Sequence, residues 1–128
     1  MSRNVLLIED NEQNRYLATF LLEKHGYSVV AAFDGPRGVE LAQSLAPDLI
    51  LLDIQLPGMD GYAVARALRQ IEALQATPIV AVTSYAMVGD REKSLESGCN
   101  GYIEKPINPD TFVAEIERFI IPGKPSAP

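Results

Sequence analysis

A chain of 128 residues, 47% of them hydrophobic, is the size of one domain with a core of its own and too short for two ordinary ones. Its 17 acidic against 11 basic residues leave a net charge of −6, which argues against direct nucleic-acid binding, where Lys and Arg must neutralise phosphates. No apolar run has the length of a membrane span, Met1-Ser2-Arg3-Asn4 lacks the regions of a signal peptide, and the single Cys99 excludes an internal disulfide, so a cytoplasmic protein without membrane association is expected.

Asn4 to Ile8 reads as a strand buried on both faces that runs at once into Glu9-Asp10-Asn11. Residues 12 to 25 follow as a helix, with Tyr16, Leu17, Phe20 and Leu21 at helical spacing, Asp10 or Asn11 as its cap and Gly26 as its stop. This puts His25 at the end of a helix about 21 Å long, far from the acids, as a partly exposed helix-end residue. Ser28 to Ala32 is a second strand; Asp34-Gly35-Pro36 opens a helix through Val39, Leu41, Ala42 and Leu45 that stops before Pro47.

The third strand is the apolar run Leu49 to Leu52, bounded by Pro47 and Pro57-Gly58, with Asp53 at its end. A carboxylate there either begins a turn or does chemistry at the mouth of a sheet. Asp60 then caps a helix with Val64, Ala67, Leu68 and Ile71 on its apolar face. Ile79 to Val82 is a fourth strand ending in Thr83-Ser84. The helix after it, about Val88 to Ser97 with Gly98 as its stop, is short and polar, and is expected to be the least firmly held. Gly101 to Glu104 is the fifth strand, ending in Lys105-Pro106, and Asp110 to Ile120 a final helix with Phe112, Ile116, Phe119 and Ile120 inward. The domain is expected over residues 1 to 121, with the Pro-rich residues 122 to 128 as a flexible tail or the start of a linker. Cys99 is read as a buried apolar filler.

Five strands alternating with five helices predict an α/β fold, a doubly wound parallel sheet with helices on both faces. Every strand then leads into its helix at one sheet edge. That edge gathers Glu9, Asp10, Asp53, Thr83 and Lys105, three carboxylates with one lysine. Their mutual repulsion is relieved either by protonation of one acid or, more cheaply at neutral pH, by a bound divalent cation, and ligands that are all oxygen select a hard one such as Mg²⁺. Lysine and a threonine hydroxyl beside it suit phosphoryl oxygens, and with no Ser-His or Cys-His arrangement the nucleophile is a carboxylate, best placed at Asp53.

These residues resemble the receiver domain of bacterial two-component response regulators over about residues 4 to 120. Val-Leu-Leu-Ile-Glu9-Asp10-Asn is similar to that family's acid pair, Leu-Leu-Asp53-Ile-Gln-Leu-Pro-Gly-Met-Asp-Gly to its phosphoacceptor strand and turn, Val-Thr83-Ser to its hydroxyl strand and Tyr102-Ile-Glu-Lys105-Pro to its lysine. The resemblance implies a flavodoxin-like sheet order 2-1-3-4-5. It implies Mg²⁺ held by Glu9, Asp10, Asp53 and the backbone carbonyl of Met59. Asp53 would accept a phosphoryl group from a phosphohistidine of a histidine kinase or histidine phosphotransfer protein, with Lys105 on the phosphate. Thr83 and Tyr102 would be switch residues, the Lys105-Pro106 bond would be cis, and the altered surface around helix 4, strand 5 and helix 5 would meet a downstream protein target. Gln55 and Tyr85, two residues after the acceptor and the hydroxyl, would tune dephosphorylation towards a slowly hydrolysing species. Such a chain catalyses only its own phosphorylation and dephosphorylation.

Three other readings bear on the same residues. A Mg²⁺-dependent phosphatase of the haloacid dehalogenase type needs a second acid two residues after its nucleophile, where this chain has Gln55. A flavin-binding module is opposed by Glu9-Asp10-Asn11, which repels phosphate where a cradle is needed. The third is a receiver taken from a longer hybrid kinase or DNA-binding regulator; Met1 and the Pro-rich end favour a stand-alone regulator over it.

Overall fold

The computed structural model describes residues 3–56, 60–83 and 90–120. Strands β1 (Asn4–Ile8), β2 (Ser28–Ala32), β3 (Leu49–Asp53), β4 (Ile79–Thr83) and β5 (Gly101–Glu104) alternate with helices α1 (Glu12–Lys24), α2 (Gly35–Leu45), α3 (Gly61–Arg69), α4 (Asp90–Glu96) and α5 (Phe112–Ile120). All four strand pairings are parallel and the order is β2-β1-β3-β4-β5, the flavodoxin-like arrangement expected. The order reverses between β1 and β3, and ligands of such sheets bind beyond the strands' carboxyl ends at that reversal.

The helix starts are set by side chains that accept otherwise unpaired backbone N–H groups. Asn11 accepts from Asn14 at 2.9 Å, Asp34 from Arg37 at 2.8 Å, and Asp60 from Tyr62 at 2.7 Å. Asn11, not Asp10, is therefore the cap of α1. The strands' alternate side chains divide the core in two. Val5, Leu7, Leu49, Leu51, Val80 and Val82 pack under α1 and α5; Leu6, Ile8, Ile50, Leu52, Ile79 and Ala81 pack under α2 and α3. β3 and β4 are buried along their whole length, as expected of central parallel strands.

Several expectations are corrected. Tyr16 and Phe20 do not face the core: they are 74% and 51% exposed, and α1 is buried through Ala18, Leu21 and Leu22. Both stripes have helical spacing, and the one that carries Ala18, Leu21 and Leu22 is the one that faces the core. α3 ends at Arg69, and Ile71 instead precedes a single 3₁₀ turn, Glu72–Leu74, that was not foreseen. α5 begins at Phe112 because Asn108 forms a turn first, its side chain accepting from Asp110 N–H at 2.9 Å and its carbonyl from Phe112 N–H at 2.9 Å. Leu45 is on the surface of α2. The expected Pro57-Gly58 turn, the start of helix 4 before Asp90 and the tail 122–128 lie outside the described residues. Among the described residues no helix is long and apolar enough to cross a membrane.

Candidate functional site

Four strand ends meet at one edge and are held in register by backbone hydrogen bonds beyond the ladders. Glu9 N–H donates to Ala32 O at 3.0 Å, Ile54 N–H to Val82 O at 3.1 Å and Lys105 N–H to Thr83 O at 2.8 Å. The first residue of α3 lies directly on the chain that follows β3: a Cβ on Gly61 would stand 2.4 Å from Ile54 Cα and 2.8 Å from Asp53 O, so only glycine allows this approach. Asp53 is thereby fixed on both sides, at the end of a buried strand and beneath a helix N-terminus.

Asp53, Glu9 and Thr83 are all buried, whereas Asp10 is at the surface. One oxygen from each of Glu9, Asp10 and Asp53 lies within 4.8 Å of the others. Lys105 enters from β5: its Nζ is 3.1 Å from Glu9 Oε1 and 3.4 Å from Asp53 Oδ2. Asp53 Oδ1 accepts the Gln55 N–H at 2.9 Å, and Glu9 Oε2 accepts the Asn11 N–H at 3.2 Å. Glu9, Asp10, Asp53 and Lys105 lie together, Thr83 stands at the end of β4 with its carbonyl accepting the Lys105 N–H, and the Lys105-Pro106 bond is cis.

At these separations each pair of like charges costs on the order of 3 kcal/mol for an effective dielectric near 20. The strain shows at Glu9, whose carboxyl is pushed up to about 7, first by burial and then by the hydrogen bond and charge of Asp53, with Lys105 opposing. Carboxylate oxygens within 4.8 Å of one another are near the spacing of a hard divalent ion's ligands, which for one Mg²⁺ ion at about 2.1 Å stand roughly 3 to 4 Å apart.

The remaining candidates are placed as follows. Gln55 and Thr83 line a cavity with Leu56, Tyr62 and Lys93, and Lys93 Nζ stands 4.9 Å from the Tyr62 ring centre. Tyr102 is half-buried and packs with the α3 side of the core, beside Ala81 in register. Asp60 caps α3, and His25 caps the far end of α1, its Nδ1 2.9 Å from Leu21 O. Cys99 is buried. Met59 and Tyr85 lie outside the described residues.

Sequence reasoning passed over Arg15. Its Nη1 donates to the carbonyls of Glu9 at 3.1 Å and Asp10 at 2.9 Å, and its guanidinium lies 3.9 Å from the Phe33 ring centre. The available signal was a cation near the start of a helix, where the dipole disfavours it.

Comparison with known proteins gives a consistent picture. Residues 5–117 match the family described as the response regulator receiver domain. The chain is 40% identical over 120 residues to the polar-differentiation response regulator DivK of Brucella ovis, covering 94% of this chain and 98% of that protein. Among solved structures it is similar to the receiver domain of a Pseudomonas aeruginosa sensor histidine kinase with a magnesium ion coordinated in its active-site cleft, at a TM-score of 0.86 and 36% identity over 94% of this chain and 98% of that one. It is also similar to the chemotaxis response regulator CheY4 of Vibrio cholerae, at a TM-score of 0.89 and 27% identity over 94% and 100% of the two chains.

Proposed function

This chain belongs to the response regulator receiver domains, the phosphorylation-driven switches of two-component signalling, and from that premise we propose that Asp53 is its phosphoacceptor. The observation that carries the reading is Lys105 Nζ standing between the buried carboxylates of Asp53 and Glu9, with Asp10 at the rim. Glu9, Asp10 and Asp53 would hold Mg²⁺, with the Met59 carbonyl, and the bound cation would offset their charge and that of the incoming phosphoryl group. Asp53 attacks the phosphorus of a phosphohistidine; the new P–O bond forms as the P–N bond breaks, and the imidazole leaves with the electron pair. Lys105 holds one phosphoryl oxygen as a point charge, and the Thr83 hydroxyl donates to another.

The switch follows from the same geometry. Phosphorylation adds acceptor oxygens beside Thr83, and Tyr102 follows Thr83 inward, which alters the surface of α4, β5 and α5. The weak hold on α4 supports this. Among its described side chains Ser94 is the buried one, its hydroxyl unpaired, with Leu95 outward and Ser97 buried just past the helix end. The experiment is to incubate the protein with Mg²⁺ and a small acyl phosphate and look by mass spectrometry for an acid-stable, base-labile adduct; no adduct under these conditions refutes the proposal. Gln55 and Tyr85 are assigned to the lifetime of that adduct. It should hydrolyse slowly in the native chain and faster in Tyr85→Ala, as followed by loss of the adduct over time.

The phosphodonor is a histidine kinase or a histidine phosphotransfer protein acting in the cytoplasm, and the outward face of α1 is its docking surface. Tyr16 and Phe20 stack there with centroids 6.4 Å apart, about one and two turns from the loop that carries Glu9 and Asp10. A partner that places its histidine over Asp53 covers this face, and exposed aromatics are the side chains that anchor such contacts. Tyr16→Ala/Phe20→Ala should slow phosphotransfer from a protein donor by roughly tenfold or more, at about 1.4 kcal/mol per tenfold. Labelling by the small acyl phosphate and the melting temperature should stay as in the parent. Equal loss with both donors rules out docking as the cause.

A further inference from the structure

Arg15 lies near the start of α1, where the helix dipole disfavours a cation, and its guanidinium lies over the ring of Phe33, a residue 58% exposed. Both oddities have one explanation in the hydrogen bonds of Nη1. The two carbonyls it binds, of Glu9 and Asp10, belong to the peptide planes on either side of Asp10. Glu9 is anchored independently, by its N–H to Ala32 O and by its carboxylate to Lys105. Asp10 is the exposed member of the acid cluster, and fixing both its flanking planes sets the direction in which its Cβ leaves the chain.

We propose that Arg15, seated on Phe33, is a positioning residue that aims the Asp10 carboxylate towards Glu9 and Asp53 for a divalent cation. Arg suits this role because a flat guanidinium stacks on a ring while its N–H groups still donate in plane. The inference rests on the cation-holding reading of the acid cluster. It also opposes a simpler view, in which the positive charge of Arg15 acts only through space: a guanidinium that merely repels the cation would weaken its binding, so that removing it would tighten binding.

Titrating Mg²⁺ alone by calorimetry into the parent, Arg15→Ala, Arg15→Lys and Phe33→Leu distinguishes these. Groups that orient a metal ligand typically account for about 10- to 100-fold in affinity. Arg15→Ala should therefore bind Mg²⁺ at least about tenfold more weakly, Arg15→Lys should recover only part of the loss, and Phe33→Leu should lose a few-fold. Melting temperatures in chelator should be unchanged for Phe33→Leu, which separates positioning from a general loss of structure. Unchanged or tighter binding by a folded Arg15→Ala overturns the proposal. If that variant does not fold, unchanged binding by Phe33→Leu overturns it instead. A parent chain that binds no Mg²⁺ overturns the reading of the cluster and this inference with it, whereas a parent and variants that bind equally well overturn this inference alone.

Discussion

Asp53→Asn should abolish the phosphoryl adduct, with labelling by either a small acyl phosphate or a phosphohistidine donor falling to background. The substitution keeps the shape of the side chain and its Oδ1, which still accepts the Gln55 N–H, but a carboxamide is a far weaker nucleophile than a carboxylate. Burial makes the effect specific. With Asp53 buried at the end of β3 and paired with Lys105, neither Asp10 at the rim nor the exposed Asp60, engaged in capping α3, stands in its place. The variant should remain folded, since it loses a salt bridge to Lys105 but also one of the like charges that burden Glu9. Lys105→Ala is the companion measurement: it keeps the nucleophile and should label more slowly without losing the adduct. A folded Asp53→Asn that labels as well as the parent would show that another group is the acceptor.

The site was legible in the sequence because parallel topology does most of the work. Once β1, β3, β4 and β5 are read as strands that each feed a helix, their last residues must share an edge, so Glu9, Asp10, Asp53, Thr83 and Lys105 come to one edge although up to 96 residues separate them. The buried strands are short apolar runs with carboxylates, prolines or a hydroxyl at their ends, and few other structures accommodate such runs. The outward face of α1 was not legible. Tyr16 with Phe20 and Ala18 with Leu21 and Leu22 are both admissible helical stripes, and the choice depends on how close the helix comes to the sheet. The 3₁₀ turn was hidden because Ile71 and Leu74 continue the spacing of α3.

Side chains that bind remote backbone were hidden for a different reason: spacing carries no trace of them. Arg69 is the clearest case. It donates to the carbonyls of Gly98 at 2.9 Å, Leu74 at 2.7 Å and Thr77 at 2.8 Å and to Asn100 Oδ1 at 2.8 Å. A Cβ on Gly98, whose φ is +111°, would stand 2.5 Å from Arg69 Cγ. This knot fixes the carboxyl end of α4 to α3. A helix held by a knot beyond its carboxyl end, with the small polar Ser94 buried beneath it, has a construction suited to the switch proposed above.

Glu9 provides the second large effect, a dependence of stability on pH whose sign depends on Mg²⁺. Its carboxyl has an ordinary value of 4.5 and stands at about 7 in the folded domain, chiefly through burial and then through Asp53. Between those values the folded state binds more protons at Glu9 than the unfolded chain, so its contribution to stability is fully present below pH 4.5 and is lost as pH rises through about 7. At about 1.4 kcal/mol per unit, the loss is on the order of 3 kcal/mol, or roughly 10 °C in melting temperature for a domain of this size. Asp10, Asp53 and Lys105 face Glu9, and of these only the lysine favours its charged form. Thermal melts in chelator should therefore fall in midpoint from weakly acid to weakly alkaline pH. With saturating Mg²⁺ the fall should be reversed, because the cation binds the same carboxylate the proton leaves, and the increment given by Mg²⁺ should grow with pH. Glu9→Gln should flatten the slope in chelator, since a neutral amide has no proton to lose. A Mg²⁺ increment that is the same at every pH, or a slope that survives Glu9→Gln, would place the titration elsewhere and separate Glu9 from the cation.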